Sequence, residues 1–181
     1  KSHRVPILTP LKRCQPERTD FRGDVSEGQS TPPSGTFMDV TAGGYHSCAV
    51  GSDGAVECWG RNDWGQSTPL SNTFVDVSGG NMHTSAIDSE GQVWCWGDPS
   101  DGQTTAPSGR FSQISAGDYH NCGVDNSTSV QCWGLDHRGQ SSPPPGSFVQ
   151  VSAGGNHTCG IDTGQEVQCW GSDDFGQSTP P

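Results

Sequence analysis

The sequence predicts an all-β fold built from tandem repeats, and three observations support that prediction. Marker residues return at intervals of 37 positions along most of the 181-residue chain. Each interval contains short runs rich in Val, Ile, Phe and Trp, which Gly, Pro, Ser and Thr separate. Apolar side chains do not recur at helical spacing over any long stretch, so a helical bundle is excluded.

Four complete repeats can be counted from the recurring Gly-Gln pair, and they occupy 28–64, 65–101, 102–138 and 139–175. A fifth unit begins at 176–181 in the same register. Other residues keep the same step, so the repeat is not a coincidence. The recurring positions are Gln29, Gln66, Gln103, Gln140 and Gln177; Phe37, Phe74, Phe111 and Phe148; Gly43, Gly80, Gly117 and Gly154; His46, His83, His120 and His157; and Trp59, Trp96, Trp133 and Trp170.

Each repeat reads as a set of short strands. In the fourth unit we predict strands over 147–152, 157–161 and 167–170, with a Gly turn and a polar loop between them. Three or four strands in 37 residues are typical of a propeller blade. The sequence therefore predicts a β-propeller-like array of four blades over 28–181.

Residues 1–27 form a basic N-terminal arm that resembles the degenerate end of a further blade. Phe21-Arg22-Gly23 stands where the other units carry Cys-Trp-Gly, and the correct spacing to Gly28-Gln29 follows. We therefore expect a partial blade there. A repeat array buries apolar surface only against neighbouring repeats. The arm and the fifth unit could complete each other within one chain or between two chains, and we favour the second.

The repeat pattern F-x-x-[VI]-[ST]-x-G-x-x-H-[STN]-C, followed by V-x-C-W-G and Gly-Gln, resembles the regulator-of-chromosome-condensation repeat over 28–181. It is most similar to the secreted, Cys-containing bacterial and algal forms. The resemblance implies a β-propeller, usually of seven blades, and the repeated His would hydrogen-bond the next turn. Members include a nucleotide-exchange factor on chromatin, a plant ultraviolet photoreceptor and a secreted β-lactamase inhibitor. Because they share binding through loops and not one ligand, the fold alone does not give the function.

The charge distribution argues against nucleic-acid and lipid partners. The formal net charge is −11, and residues 29–181 carry sixteen acidic side chains against three Arg. Such a surface repels nucleic-acid phosphates and anionic lipid. Residues 1–28 carry six Lys or Arg against four acids, so this arm is attracted to the acidic repeats. No apolar run approaches the roughly 20 residues that a membrane span needs.

The cysteines predict disulfides and an oxidising compartment. In the first repeat Val50 would face Val56 across a hairpin, which places Cys48 opposite Cys58, within disulfide reach. Zinc is a weaker interpretation, because zinc-binding cysteines lie two to four residues apart. Disulfides indicate a secreted or cell-surface protein. The predicted pairs are Cys48–Cys58, Cys122–Cys132 and Cys159–Cys169, and by elimination Cys14 with Cys95, either within one chain or between two.

We predict no cofactor, no metal and no catalytic site. A His fixed in every blade is first a structural residue, although a ring of metal ligands is the alternative. The repeated Trp should pack between blades with its indole N–H bonded to backbone, and the repeated Gln should bridge blades through its amide. One Asp per blade does not give calcium the converging oxygens it needs. Those aspartates are Asp88, Asp125 and Asp162.

Glycosylation is the expected modification. Asn126-Ser-Thr and Asn156-His-Thr are acceptor sequons for N-glycans, and Asn126 falls in a hairpin loop. Ser/Thr-Pro clusters at every junction are typical of O-glycosylated segments. The simpler interpretation is that Pro stiffens the crossing between blades.

Recognition should reside where the repeats differ. The four residues before each Gly-Gln vary, and they end in Trp64, Asp101, Arg138 and Phe175. Exposed aromatic and charged side chains favour a protein or sugar interface.

The leading hypothesis is an extracellular, non-enzymatic repeat protein that binds proteins and associates head to tail with itself, as a subunit of a surface fibre. The alternative is a soluble lectin or secreted inhibitor that presents propeller loops to an external ligand.

Overall fold

A computed structural model describes residues 26–180, and this part of the chain contains twelve β-strands and no helix. The strands are β1 Phe37–Ala42, β2 His46–Gly51, β3 Val56–Gly60, β4 Phe74–Gly79, β5 His83–Asp88, β6 Val93–Gly97, β7 Phe111–Ala116, β8 His120–Asp125, β9 Val130–Gly134, β10 Phe148–Ala153, β11 His157–Asp162 and β12 Val167–Gly171. No helix among these residues is long and apolar enough to cross a membrane.

The strands form four antiparallel sheets of three, each in chain order. We number the sheets blade 1 (β1–β3), blade 2 (β4–β6), blade 3 (β7–β9) and blade 4 (β10–β12). Each blade lies inside one predicted repeat, so the all-β, four-blade prediction is confirmed. A register shift interrupts the first pairing of every blade at the same place, for example between Phe37 and Asp39. The predicted partial blade of the arm lies outside the described residues.

Three blades are closed by a disulfide across the second hairpin. The two sulfur atoms lie 2.12 Å apart in Cys48–Cys58, 2.07 Å apart in Cys122–Cys132 and 2.07 Å apart in Cys159–Cys169. The two cysteines of each pair are direct neighbours across the hairpin, as the spacing predicted.

Blade 2 has no such bridge, because Ser85 stands opposite Cys95. The Cys95 sulfur lies 3.1 Å from the Ser85 hydroxyl and has no disulfide partner among residues 26–180. Burial raises the pKa of the Cys95 thiol to about 11. Cys14 lies outside the described residues, so its pairing with Cys95 stays a prediction.

The apolar core lies between blades and not within them. Cys48, Val50 and Val56 of blade 1 pack against Phe74 and Val77 of blade 2. The same contact recurs between blades 2 and 3 and between blades 3 and 4. A Trp from the third strand closes each cluster against the Phe of its own blade, with ring centroids 6.0–6.1 Å apart in blades 2 to 4. Every blade therefore depends on its neighbour for burial.

A chain of hydrogen bonds crosses each of these interfaces. His46 Nε2 lies 2.7 Å from Thr84 Oγ1 of the next blade, and Thr84 donates in turn to the Gln66 carbonyl at 2.9 Å. The Trp96 indole N–H donates to the same carbonyl at 3.0 Å. Because the threonine hydroxyl is already a donor, His46 must carry its proton on Nε2. We call this His-to-hydroxyl-to-carbonyl chain the relay.

The relay repeats with small changes. His83 donates to Asn121 at 3.0 Å, and His120 pairs with Thr158 at 2.8 Å. Asn121 and Thr158 then donate to the carbonyls of Gln103 and Gln140. The predicted amide bridge is present only in part. The Gln66 amide N–H lies 3.4 Å from Met82 Sδ of blade 2, while Gln66 Oε1 accepts the local N–H of Trp64 at 2.9 Å. The Gln backbone carbonyl makes the bond that recurs at all three interfaces.

The repeated glycine makes room for the relay histidine. A Cβ on Gly80 would collide with the His83 ring and would lie 2.6 Å from the Gly117 carbonyl oxygen of the next blade. Any side chain there would separate the two blades.

A Cys at position 85 should complete the missing disulfide. The cysteine pairs of the other blades have Cα–Cα distances of 4.0–4.1 Å at this register. We expect Ser85→Cys to raise the free energy of unfolding by roughly 2 kcal/mol, because a loop of this length gives somewhat under ~3 kcal/mol and the bond from Ser85 to Asn121 is lost. Thermal melts of the variant and of the wild type, both under oxidising conditions, measure the gain, and equal melting temperatures would contradict it.

Burial of the relay histidines makes folding sensitive to acid. The Nδ1 atoms of His46, His83 and His120 are buried without a hydrogen-bond partner, so a proton there would have no acceptor. Burial accordingly lowers the pKa of His46 and of His120 to about 4, and lowers that of His83. The unfolded chain binds these protons from about pH 6.5 downward and the folded chain does not.

The free energy of unfolding should therefore fall as the pH drops from 6.5 towards 4, by up to about 1.4 kcal/mol per pH unit for each relay histidine. Burial raises the pKa of Asp76, which acts in the opposite direction in the range just above pH 3.8, where the folded carboxyl holds a proton that the unfolded one releases. Urea unfolding at a series of pH values measures the slope. His120→Gln should flatten it, whereas His137→Gln, at an exposed position, should not. A flat profile in the wild type would contradict the assignment.

Candidate functional site

The varied loops gather at one end of the array. The loop after the third strand of each blade begins beside the turn that joins the first two strands. In blade 1 the Arg61 N–H donates to the Tyr45 carbonyl at 2.9 Å, and the Arg61 guanidinium lies 5.5 Å from the centre of the Tyr45 ring. The same backbone bond recurs from Asp98 to Met82, Leu135 to Tyr119 and Ser172 to Asn156. We call this end the loop surface.

Each loop is held in one conformation by the Gly-Gln pair. Gly65 takes a φ of +81°, which suits glycine, and the Gln66 side chain accepts the N–H of Trp64. The equivalent Gln binds the equivalent N–H in the other loops, at Asp101, Arg138 and Phe175. The loops are therefore rigid supports for whichever side chain precedes Gly-Gln.

Those four side chains all lie at the surface. Phe175 is 94% exposed and Trp64 is 52% exposed, while Asp101 and Arg138 are also exposed. Arg138 Nη1 lies 3.4 Å from Asp174 Oδ2, an ion pair that links the loops of blades 3 and 4. The predicted loop residues thus share one end of the array, with an aromatic ring at each extreme and charges between them.

The aspartates at the other end build turns. Asp125 Oδ1 accepts the backbone N–H groups of Ser127 and Ser129, and Asp125 Oδ2 accepts from the Gln131 side chain. The Ser127 hydroxyl also donates to Asp125 Oδ1, and this bond, ahead of the others, lowers the pKa of Asp125. Asp88 and Asp162 make equivalent bonds, which occupy the oxygens that a cation would need. Within residues 26–180 no three His, Cys, Asp or Glu side chains are grouped to hold a metal ion.

Blade 1 leaves one apolar face uncovered by the described residues. Val40 on β1 is 68% exposed, although its equivalents Val77, Ile114 and Val151 are 4%, 5% and 2% exposed because the preceding blade covers them. Met38 is also exposed, but so are Val75 and Val149 at the same position of blades 2 and 4. We call the side of blade 1 that presents Val40 the head face.

Blade 4 leaves the opposite kind of face uncovered. Cys48, Val50 and Val56 of blade 1 are buried by blade 2, whereas Val167, the equivalent of Val56, is 50% exposed. It lines a shallow apolar depression with Val151, Cys159 and Ile161. We call this side of blade 4 the tail face. The sequence predicted that both ends of the array need a partner, but it did not single out these residues, because they are the ordinary core residues of the repeat.

The comparisons with known proteins identify the repeat. The sequence matches the regulator of chromosome condensation (RCC1) repeat over residues 39–66, 74–103, 111–140 and 148–177. No curated protein sequence matches the chain.

Solved structures with the same architecture include two plant receptor ectodomains. The CRINKLY WD40 ectodomain of the Arabidopsis thaliana receptor kinase ACR4 superposes with a TM-score of 0.64 and 28% identity, over 75% of this chain and 49% of that one. The ectodomain of the Physcomitrella patens receptor kinase CR4 gives 0.66 and 30%, over 75% and 40%.

Prp20p from Saccharomyces cerevisiae superposes with a TM-score of 0.68 and 18% identity, over 80% of this chain and 45% of Prp20p. The chain therefore spans about half the length of these structures or less. Four matched repeats, in four blades that stack as propeller blades do, show that the chain belongs to the RCC1 repeat family.

Proposed function

We propose that this chain is an extracellular, non-enzymatic repeat protein that binds other proteins and associates head to tail with its own copies, as a glycosylated subunit of a surface fibre. One observation carries the proposal: the described array presents two unlike apolar faces, and inside the array faces of these two kinds are buried against each other. Apolar surface of this kind marks an interaction site.

Disulfides support the extracellular location. Three blades are bridged, and such bonds persist in oxidising compartments. The receptor-kinase structures that resemble the chain at 28% and 30% identity are ectodomains. The more distant Prp20p binds Gsp1p and histones, which agrees with a family that works by binding.

The sequons are compatible with both faces being used. Asn126 is exposed in the hairpin between β8 and β9, at the end opposite the loop surface, and Asn156 is exposed in the turn between β10 and β11. Glycans at these ends of the blades would leave the head and tail faces clear. They would also make a fibre more soluble.

Self-association can be tested directly by sedimentation of the disulfide-bonded chain over a range of concentrations. We expect the average mass to rise with concentration above the 19.1 kDa of one chain, and negative-stain images to show rods. A mass that stays at one chain throughout would remove self-association and the fibre from the proposal.

A second candidate is a lectin or secreted inhibitor that uses the loop surface. Phe175 and Trp64 favour it, because aromatic rings so exposed are common at the centres of binding sites. This function would leave the chain monomeric and would require the loop side chains, so the two candidates predict different variants to be inactive.

Trp64 and Trp133 should separate binding from stability. Trp133 is 8% exposed and donates to the Gln103 carbonyl, so Trp133→Ala should cost about 3–5 kcal/mol of unfolding free energy. Trp64→Ala should leave the melting temperature nearly unchanged and weaken capture of any ligand held by the loop surface. Calorimetric melts of both variants check the assignment, and a stable Trp133→Ala beside an unfolded Trp64→Ala would reverse it.

A further inference from the structure

We infer that the tail face of one chain is a docking site for the head face of a second copy, in the register that joins consecutive blades within a chain. This inference rests on the self-association proposed above and adds the two surfaces and their partners. It follows from comparing the exposed faces with the three interfaces that the chain already contains.

The apolar parts of the two faces match. Within the chain, the valine or isoleucine at the Val40 position enters a cluster formed by residues equivalent to Cys159, Ile161 and Val167. The tail face presents that cluster and the head face presents Val40, which no described residue covers. Docking would bury both in the surroundings that their equivalents already have.

The polar parts match as well. Ser115 Oγ accepts the Ala153 N–H at 2.9 Å, and the Gln113 side chain binds both the N–H and the carbonyl of Val151, at 2.8 and 3.0 Å. On the tail face the equivalent Ser152 and Gln150 have no such partner among the described residues. One repeat further on, their partners would be Ala42 and Val40 on the head face of the second copy. The Val40 N–H donates to Asp39 Oδ1 at 2.9 Å in the single chain, so docking would exchange that acceptor for Gln150.

The relay is also left open at both ends. Ser47 donates to the Gln29 carbonyl at 3.0 Å, as Thr84 does to Gln66, but no described histidine donates to Ser47. His157 lacks an acceptor where Ser47 lacks a donor, because no described hydroxyl accepts a hydrogen bond from His157 Nε2. In the docked pair, the Ser47 hydroxyl of the second copy would accept the hydrogen bond from His157 Nε2, as the Thr158 hydroxyl accepts one from His120 within the chain.

A second copy is the occupant that satisfies all of these groups together. A different partner would have to supply a β-branched residue, two backbone N–H groups and a hydroxyl at the spacing of one blade edge. The head face already carries this set. The contact is heterologous, since it joins two different surfaces, and such contacts extend into filaments unless the rotation closes a ring.

Two single variants, each blocking one face, test the inference. Val40→Lys blocks the head face and Val167→Lys blocks the tail face, and both positions are at least half exposed, so the blades should still fold. Val75→Lys is the matched control, because Val75 is 55% exposed at a position that is exposed in every blade. Circular dichroism and melting temperature establish that each variant is folded.

Sedimentation velocity of the separate variants should show self-association weakened at least about tenfold for Val40→Lys and for Val167→Lys, because each would bury an unpaired ammonium, and unchanged for Val75→Lys. An equimolar mixture of the two blocked variants should then form a dimer that does not grow further. One chain still offers a tail face and the other a head face, so one contact is restored.

Three other outcomes would overturn the inference. If either blocked variant associates as the wild type does, the chains meet through other surfaces, and self-association survives without this interface. If the blocked variants do not combine when mixed, the contact is not head to tail. If the wild type stays monomeric and Val167→Lys lowers its melting temperature, residues of the same chain cover the tail face, and both this inference and the proposed self-association are wrong.

Discussion

The contact between consecutive blades is the interaction on which the rest of the molecule depends. No blade has a core of its own: Phe74 and Val77 are buried because blade 1 lies against them, and Val50 is buried because blade 2 does. Only 29% of the chain is hydrophobic, so each blade alone would bury too little surface to fold. The disulfides help by closing the hairpins locally, but packing between neighbours supplies the core.

This contact also explains which positions repeat. The relay requires a His on one blade, a short side chain that both accepts and donates on the next, and a Gln carbonyl that receives the bond. The second requirement is met by Thr84, Asn121 and Thr158, three side chains with one function. Residues outside the contact are free to differ, and Trp64 and Phe175 show how far they do. Repetition therefore marks structure, and variation marks the surfaces available for recognition.

Much of the fold could be predicted from the sequence, because spacing carries it. A 37-residue period with three short strands per unit leaves little choice of architecture, and the register of a hairpin follows from placing Val50 opposite Val56. The loop residues were also predictable, since varied polar segments between strands lie at surfaces.

The faces could not be predicted in the same way. Val40 and Val77 occupy the same position of the repeat, yet the first is exposed and the second is buried. Blade 1 covers Val77, whereas no described blade covers Val40, and the residues around each valine in the sequence do not show this difference. The recurring bond of Gln66 could not be predicted for a related reason. Its backbone carbonyl accepts from Thr84 and Trp96, and every residue possesses a carbonyl, so the sequence pattern does not single this one out.

Chemistry gives the inter-blade contact a direction. In each pair of neighbouring blades, the side of the earlier blade that corresponds to the tail face carries the side chains that cross the contact. They are a serine, threonine, glutamine or aspartate acceptor and the histidine donor. The side of the later blade that corresponds to the head face offers backbone N–H groups and a hydroxyl. Two head faces would oppose N–H donors to each other, and two tail faces would leave both histidines without acceptors. Either arrangement would bury unpaired polar groups at a cost of about 1–3 kcal/mol each. A repeat built on such a contact can grow only in one direction, within a chain or between chains.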